Sequence, residues 1–79
     1  MSITEEVKTA IIKAIPDAEV DVSGDGGHFE VEVISPVFNG KRILEQQRLV
    51  YSAIAHLMAG DAAPVHAVDK MVCSVPDQG

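Results

Sequence analysis

Seventy-nine residues allow one domain with a thin core, since a chain of this size buries only about 60% of the surface it exposes when unfolded. At 47% hydrophobic and 23% charged residues it reads as a globular domain rather than a disordered acidic tail, and no apolar run approaches the roughly 18 residues of a membrane span. Six Lys and Arg stand against twelve Asp and Glu, a formal charge of −6 that works against non-specific attraction to nucleic acid.

The first segment reads as a helix. Ser2-Ile3-Thr4-Glu5 fits a capping box, and Glu5 and Glu6 fall in the first turn, where the helix dipole favours carboxylates. This acidic opening lacks the basic region of a signal or transit peptide. Ile3, Val7, Ala10, Ile11, Ala14 and Ile15 recur every three or four residues as one apolar stripe. Pro16 stops the helix near Ala14 because it has no amide to donate and disfavours helical geometry at Ile15.

Two strands follow. Ala18, Val20 and Val22 alternate with Glu19, Asp21 and Ser23, and Phe29, Val31 and Val33 alternate with His28, Glu30 and Glu32. Gly24-Asp25-Gly26-Gly27 between them predicts the loop of an antiparallel hairpin. Pro36 and Asn39-Gly40 punctuate the chain before a second helix, Lys41 to Ala59, with Ile43, Leu44, Val50, Tyr51, Ile54, Leu57 and Met58 on its apolar face. Gly60 suits the end of that helix and Pro64 prevents its continuation. A last strand is expected over Val65–Val75. Its buried face is ambiguous, because Asp69 interrupts the parity of Ala67, Met71, Cys73 and Val75, while Val68 and Val72 take the other. The order helix, strand, strand, helix, strand gives an α+β domain with the helices on one side of a single sheet.

Enzyme chemistry finds little support. No Gly-x-Ser-x-Gly elbow is present, the outward carboxylates of the hairpin read as a solvated face, and Cys73 lies within a strand with no second cysteine or adjacent base. Cys73 reads as a small buried side chain, and as the chain's one cysteine it fits a reducing compartment, the cytoplasm. Gly24-Asp25-Gly26-Gly27 matches the Gly-x-x-Gly of KH domains in letters, but here it joins strands rather than helices, and Asp25 puts a negative charge where a phosphate would sit. The pattern is that of a binder or carrier.

Charge is unevenly distributed. Residues 1–40 hold eight acidic and two basic residues, whereas residues 41–79 hold four of each. Lys41, Arg42 and Arg48 gather around the start of the second helix, where cations oppose the dipole by about 0.3–1 kcal/mol each. They are the candidate contacts for an anionic partner, nucleic acid included. Phe29 and Tyr51 are assigned to buried faces, which leaves Phe38 as the one exposed ring and the sequence without a stacking platform for bases. Among the histidines, His56 falls within the second helix. His28 follows the glycine loop and His66 opens the last strand. Two surface histidines, or two imidazole ligands brought to one end of the sheet, are both compatible with this spacing.

Three blocks carry a family resemblance: Val22-Ser23-Gly24-Asp25-Gly26-Gly27-His28-Phe29-Glu30-Val31, then Phe38-Asn39-Gly40 leading to Gln46-Gln47-Arg48-Leu49-Val50-Tyr51, then Val65-His66-Ala67-Val68. Together, over nearly the whole chain, they resemble the BolA-like proteins, and within them the acid-stress-linked branch called IbaG or YrbA. The resemblance implies one BolA-like domain over residues 1–79, of class II KH-like fold with a three-stranded mixed sheet. It also implies a non-enzymatic role in iron–sulfur trafficking or stress regulation. The implied partner is a monothiol glutaredoxin with a Cys-Gly-Phe-Ser motif, sharing a 2Fe-2S cluster in a heterodimer. Glutaredoxin and glutathione would supply sulfur, and this chain His66 and a residue of the hairpin loop, His28 or Asp25. Histidine ligation raises the potential of such a cluster. The isolated chain is then expected to be a monomer or weak dimer, with no membrane association. The alternative within the same resemblance is a KH-like transcriptional regulator that binds DNA through Lys41, Arg42 and Arg48. Relatives continue beyond the last strand into a helix beginning Thr-Pro-x-x-Trp, and the sequence Ser74-Val75-Pro76-Asp77-Gln78-Gly79 departs from that pattern.

Overall fold

The computed structural model describes residues 2–76. Helix α1 spans Ile3–Ala14, and Ser2 caps it by accepting the Glu5 N–H on its hydroxyl at 3.2 Å. At the other end Ile15 leaves the helical region (φ −130°, ψ 80°), as a residue before proline is pressed to do, while its N–H still reaches the Ile11 carbonyl at 2.8 Å. Val7 and Ile11 are fully buried. Ala14, expected on the apolar stripe, is exposed.

Strands β1 (Glu19–Asp25) and β2 (His28–Ile34) pair antiparallel, with Val20 opposite Val33 and Val22 opposite Val31. The loop is shorter than the four residues expected. Gly24 and Asp25 belong to the ladder, opposite Phe29 and His28, and only Gly26 and Gly27 turn, at φ +60° and +84°. A two-residue turn with both φ positive matches the right-handed twist of the strands and is open chiefly to Gly, Asn and Asp.

Ser35 is a buried polar residue with both ends satisfied. Its N–H donates to the Ser74 carbonyl (2.9 Å) and its hydroxyl accepts from the Val37 N–H (3.2 Å). This capping starts a single 3-10 turn, Pro36–Phe38, that drives Phe38 completely out of solvent. The reading of Phe38 as an exposed ring is therefore wrong: the proline-led turn folds it inward.

Helix α2 spans Ile43–Met58, two residues shorter at its start than expected, with Arg42 as N-cap and the Arg42 N–H donating to Glu45 Oε1 at 3.2 Å. Gln46 Nε2 holds the preceding loop through the carbonyls of Phe38 (3.1 Å) and Lys41 (3.0 Å). Val50, Ile54 and Leu57 meet the core, while Ile43 (72% exposed), Leu44 and Tyr51 stand in solvent, against the broader apolar face expected. Ile43 has nearly the angular position of Val50, seven residues on. It is exposed because it lies two turns earlier, where the helix has nothing to pack against. Leu44 and Tyr51 are turned about 100° further round, onto the flank. Beyond the C-cap Ala59, Gly60 adopts φ +89°, as a helix terminus requires.

Strand β3 is Ala67–Ser74, shorter than the expected Val65–Val75, and runs parallel to β2 in the order β1-β2-β3. The register explains the ambiguous parity. His28 pairs with Ala67 and Phe29 with Val68, and then Glu30 pairs with Lys70, so Asp69 is the extra residue of a bulge. An unbulged ladder would set Asp69 against Glu30 and bring Lys70 beside Val31 on the core side. The bulge instead places Lys70 opposite Glu30, and Met71 and Cys73 opposite Val31 and Val33.

The core lies between the sheet and the two helices. Val20, Phe29, Val31 and Val33 from the sheet meet Val7, Ile11, Val50 and Ile54, with Phe38 and Val65 closing the ends. Each such side chain contributes about 1.5–3 kcal/mol by leaving water. The opposite sheet face is exposed and carries Asp21, Glu30, Glu32 and Lys70. Residues 77–79, on which the comparison with a C-terminal helix bears, lie outside the described residues.

Candidate functional site

The two sequence-predicted histidines both fall at the turn end of β2 and β3, His28 as the first residue of β2 and His66 one residue before β3. The Gly27 carbonyl accepts both the His66 N–H (2.8 Å) and the Ala67 N–H (3.0 Å), pinning the entry of β3 to the turn beside His28. The His66 ring lies over Gly27: a Cβ added there would sit 2.7 Å from His66 Cδ2, too close for the ring to stay. Glycine at position 27 thus serves the positive φ of the turn and the close approach of the imidazole. His66 itself is exposed and lines a shallow depression with Met58, Gly60, Asp61 and Ala63.

His28 stands on the open sheet face, with Nδ1 3.2 Å from Asp69 Oδ1. Both side chains keep more than half their surface in solvent. An ionised carboxylate only accepts, so in the neutral imidazole this contact makes Nδ1 the donor and leaves the lone pair on Nε2. In the sequence Asp69 shows only as an interruption of the alternation. That interruption was the available signal, because it marks the bulge that carries the side chain. Asp25 pairs with His28 through the ladder rather than standing in a loop.

Imidazole nitrogens suit zinc, copper and iron, so each of the two side chains is by type a candidate donor. Among the described residues no group of three or more His, Cys, Asp or Glu is gathered to hold a metal ion. Cys73 lies partly buried on the core side of β3, where burial pushes its thiol pKa up and makes it a poorer ligand.

The basic residues form a looser arrangement. Lys41 and Arg48 flank Glu45 along a shallow groove with Leu49 and Ser52, and Arg42 is exposed at the helix cap. Among the described residues no carboxylate lies within ion-pair distance of any of the three. That groove is distinct from the depression lined by His66. Of the three aromatics, Phe29 and Phe38 are buried and Tyr51 is 38% exposed, which reverses the expected roles of Phe38 and Tyr51. His56 lines a groove of about 490 Å³ between the helices, with Lys13, Ala10 and Ala53. No helix among the described residues is long and apolar enough to cross a membrane.

Comparison with known proteins gives consistent results. A family model described as BolA-like protein matches residues 4–77. Protein BOLA2 of Arabidopsis thaliana is 38% identical over 71 residues, covering 89% of this chain and 72% of that protein. The acid stress protein IbaG of Escherichia coli is 33% identical over 63 residues, covering 80% of this chain and 73% of IbaG. A solved bolA protein homologue from Coxiella burnetii superposes with a TM-score of 0.80 at 34% identity, over 99% of this chain and 96% of that one.

Proposed function

Given that this chain belongs to the BolA-like family, we propose that it is a non-enzymatic partner of a monothiol glutaredoxin that helps to hold a shared 2Fe-2S cluster through His66 and His28. The observation that carries the reading is the double hydrogen bond from His66 and Ala67 to the Gly27 carbonyl, which fixes His66 beside the residue preceding His28. Both imidazoles are exposed at one end of the sheet, which supports reading them as this chain's share of the ligands. A cluster bridging two proteins takes four protein or thiol ligands, so the glutaredoxin cysteine and glutathione supply the sulfur. When bound, the cluster supplies electron storage or transferable iron and sulfur. This chain's residues select it by donor type and hold its ligand atoms in place. Imidazole in place of thiolate raises its potential, a property suited to sensing or handing on a cluster.

The test is a titration of cluster-loaded glutaredoxin with this protein, followed by visible absorption and circular dichroism. A new cluster spectrum is expected at a one-to-one ratio and is lost in His66→Ala. An unchanged spectrum in that variant overturns the ligand assignment.

The rival reading, a KH-like DNA-binding regulator of the stress response, rests on the three exposed cations Lys41, Arg42 and Arg48, which have no ion-pair partner among the described residues. Against it stand the burial of Phe38 and the net charge of −6. It requires DNA binding that falls steeply with salt and with charge reversal at those three positions. No DNA binding at low salt removes it.

A further inference from the structure

Asp69 reaches His28 only because of the bulge. In a parallel ladder, residues 67, 68 and 69 would meet 28, 29 and 30 in turn, and Asp69 would face the Glu30 carboxylate across the open sheet face. The observed pairing omits Asp69 and resumes with Lys70 opposite Glu30. The freed side chain lies back toward the turn, its Oδ1 3.2 Å from His28 Nδ1. The same insertion returns Met71 and Cys73 to the core side, so the bulge is held by apolar burial on one face and by charge on the other.

An imidazole has two inequivalent nitrogens, and the partner of one decides which atom the other presents. With Asp69 accepting from Nδ1–H, the neutral His28 ring is held in the tautomer whose Nε2 is unprotonated. Histidines that bind metals are commonly oriented in this way, by a carboxylate on the distal nitrogen. We propose that Asp69 is a positioning residue: it sets the tautomer and ring orientation of His28 so that Nε2 is the ligating atom. The role assigned to the cluster rests on the reading of His28 as a ligand, whereas the tautomer is a property of the isolated chain. Asp69 acts through His28 and donates nothing to the cluster.

The tautomer is read by nitrogen-15 NMR of the imidazole side chains of the isolated protein, at about pH 8.5, above the ordinary histidine pKa of about 6.5. Wild type should show His28 mainly as the Nδ1–H form. Asp69→Ala should return it to the Nε2–H form that free histidine favours, and Asp69→Asn, whose side-chain carbonyl still accepts, should keep Nδ1–H. His66 and His56 should not change. The second arm is the glutaredoxin heterodimer: Asp69→Ala should retain its cluster about tenfold less well and shift its visible circular dichroism, with Asp69→Asn close to wild type. An Nε2–H majority in wild type, or no tautomer change in Asp69→Ala, overturns the proposal. A tautomer change that leaves the heterodimer's cluster unaltered overturns the positioning role. Loss of the cluster in His66→Ala with none of these Asp69 effects leaves the proposed function standing and removes only Asp69.

Discussion

The histidine corner and the basic start of α2 are both exposed and polar, yet they are built differently. At the corner, backbone bonds from His66 and Ala67 to Gly27, a ring packed on a glycine and a bulge carboxylate fix where the side chains sit. At the start of α2 only the backbone is held, by Gln46 on the Phe38 and Lys41 carbonyls and by Glu45 on the Arg42 N–H. Lys41, Arg42 and Arg48 project with no carboxylate in ion-pair reach among the described residues. Chemistry that needs defined atoms belongs at the first region. Long-range attraction to an anionic surface is all the second requires.

This contrast can be broken or sharpened by four substitutions. The largest effect should come from the residue that anchors the basic segment from beneath: Phe38→Ala should cost about 3–5 kcal/mol in denaturant unfolding, as deletion of a fully buried aromatic does. A loss below about 1 kcal/mol would mean that the segment is held by other means. Gly27→Ala should cost about 1–2 kcal/mol through its positive φ, and in the NMR spectrum it should displace the His66 ring resonances while leaving those of His56 in place. Unmoved His66 resonances would show that the corner is not packed as described. Arg42→Asp should stabilise the fold by about 0.5–2 kcal/mol, because an acceptor would replace a cation at an N-cap whose own side chain accepts no helix N–H. Destabilisation would show that Arg42 has a structural role. Ile43→Ser should change stability by no more than about 0.5 kcal/mol despite the loss of a large apolar side chain, since Ile43 is 72% exposed. A larger loss in thermal or chemical unfolding would mean that the first turn of α2 is covered in solution.

The element order was readable from period and punctuation. Ser2 and Pro16 bound α1, the alternations around Val20 and Val31 define the hairpin, and the sheet's polar and apolar faces follow from them. The failures have a common physical origin in tertiary context. Nothing local distinguishes Ile43 from Val50, since both lie on the same stripe and only the extent of the core separates them. Phe38 looked available because its neighbours Pro36 and Asn39-Gly40 mark a loop, but the buried Ser35 folds that loop inward. Of the site, the placement of His28 and His66 at one end of the sheet follows from the expected strand order. The contact between His28 and Asp69 does not, because it depends on a one-residue shift that is expressed only when β3 is paired with β2.

The account depends most directly on the claim that two imidazole nitrogens of this chain bind the shared cluster. Pulsed electron paramagnetic resonance on the reduced heterodimer, with this protein alone labelled with nitrogen-15 histidine, reads that claim without reference to activity. It should show two strongly coupled histidine nitrogens, one of which disappears in His28→Ala and the other in His66→Ala. A cluster that forms with no strongly coupled nitrogen-15, or with couplings indifferent to both substitutions, would contradict it.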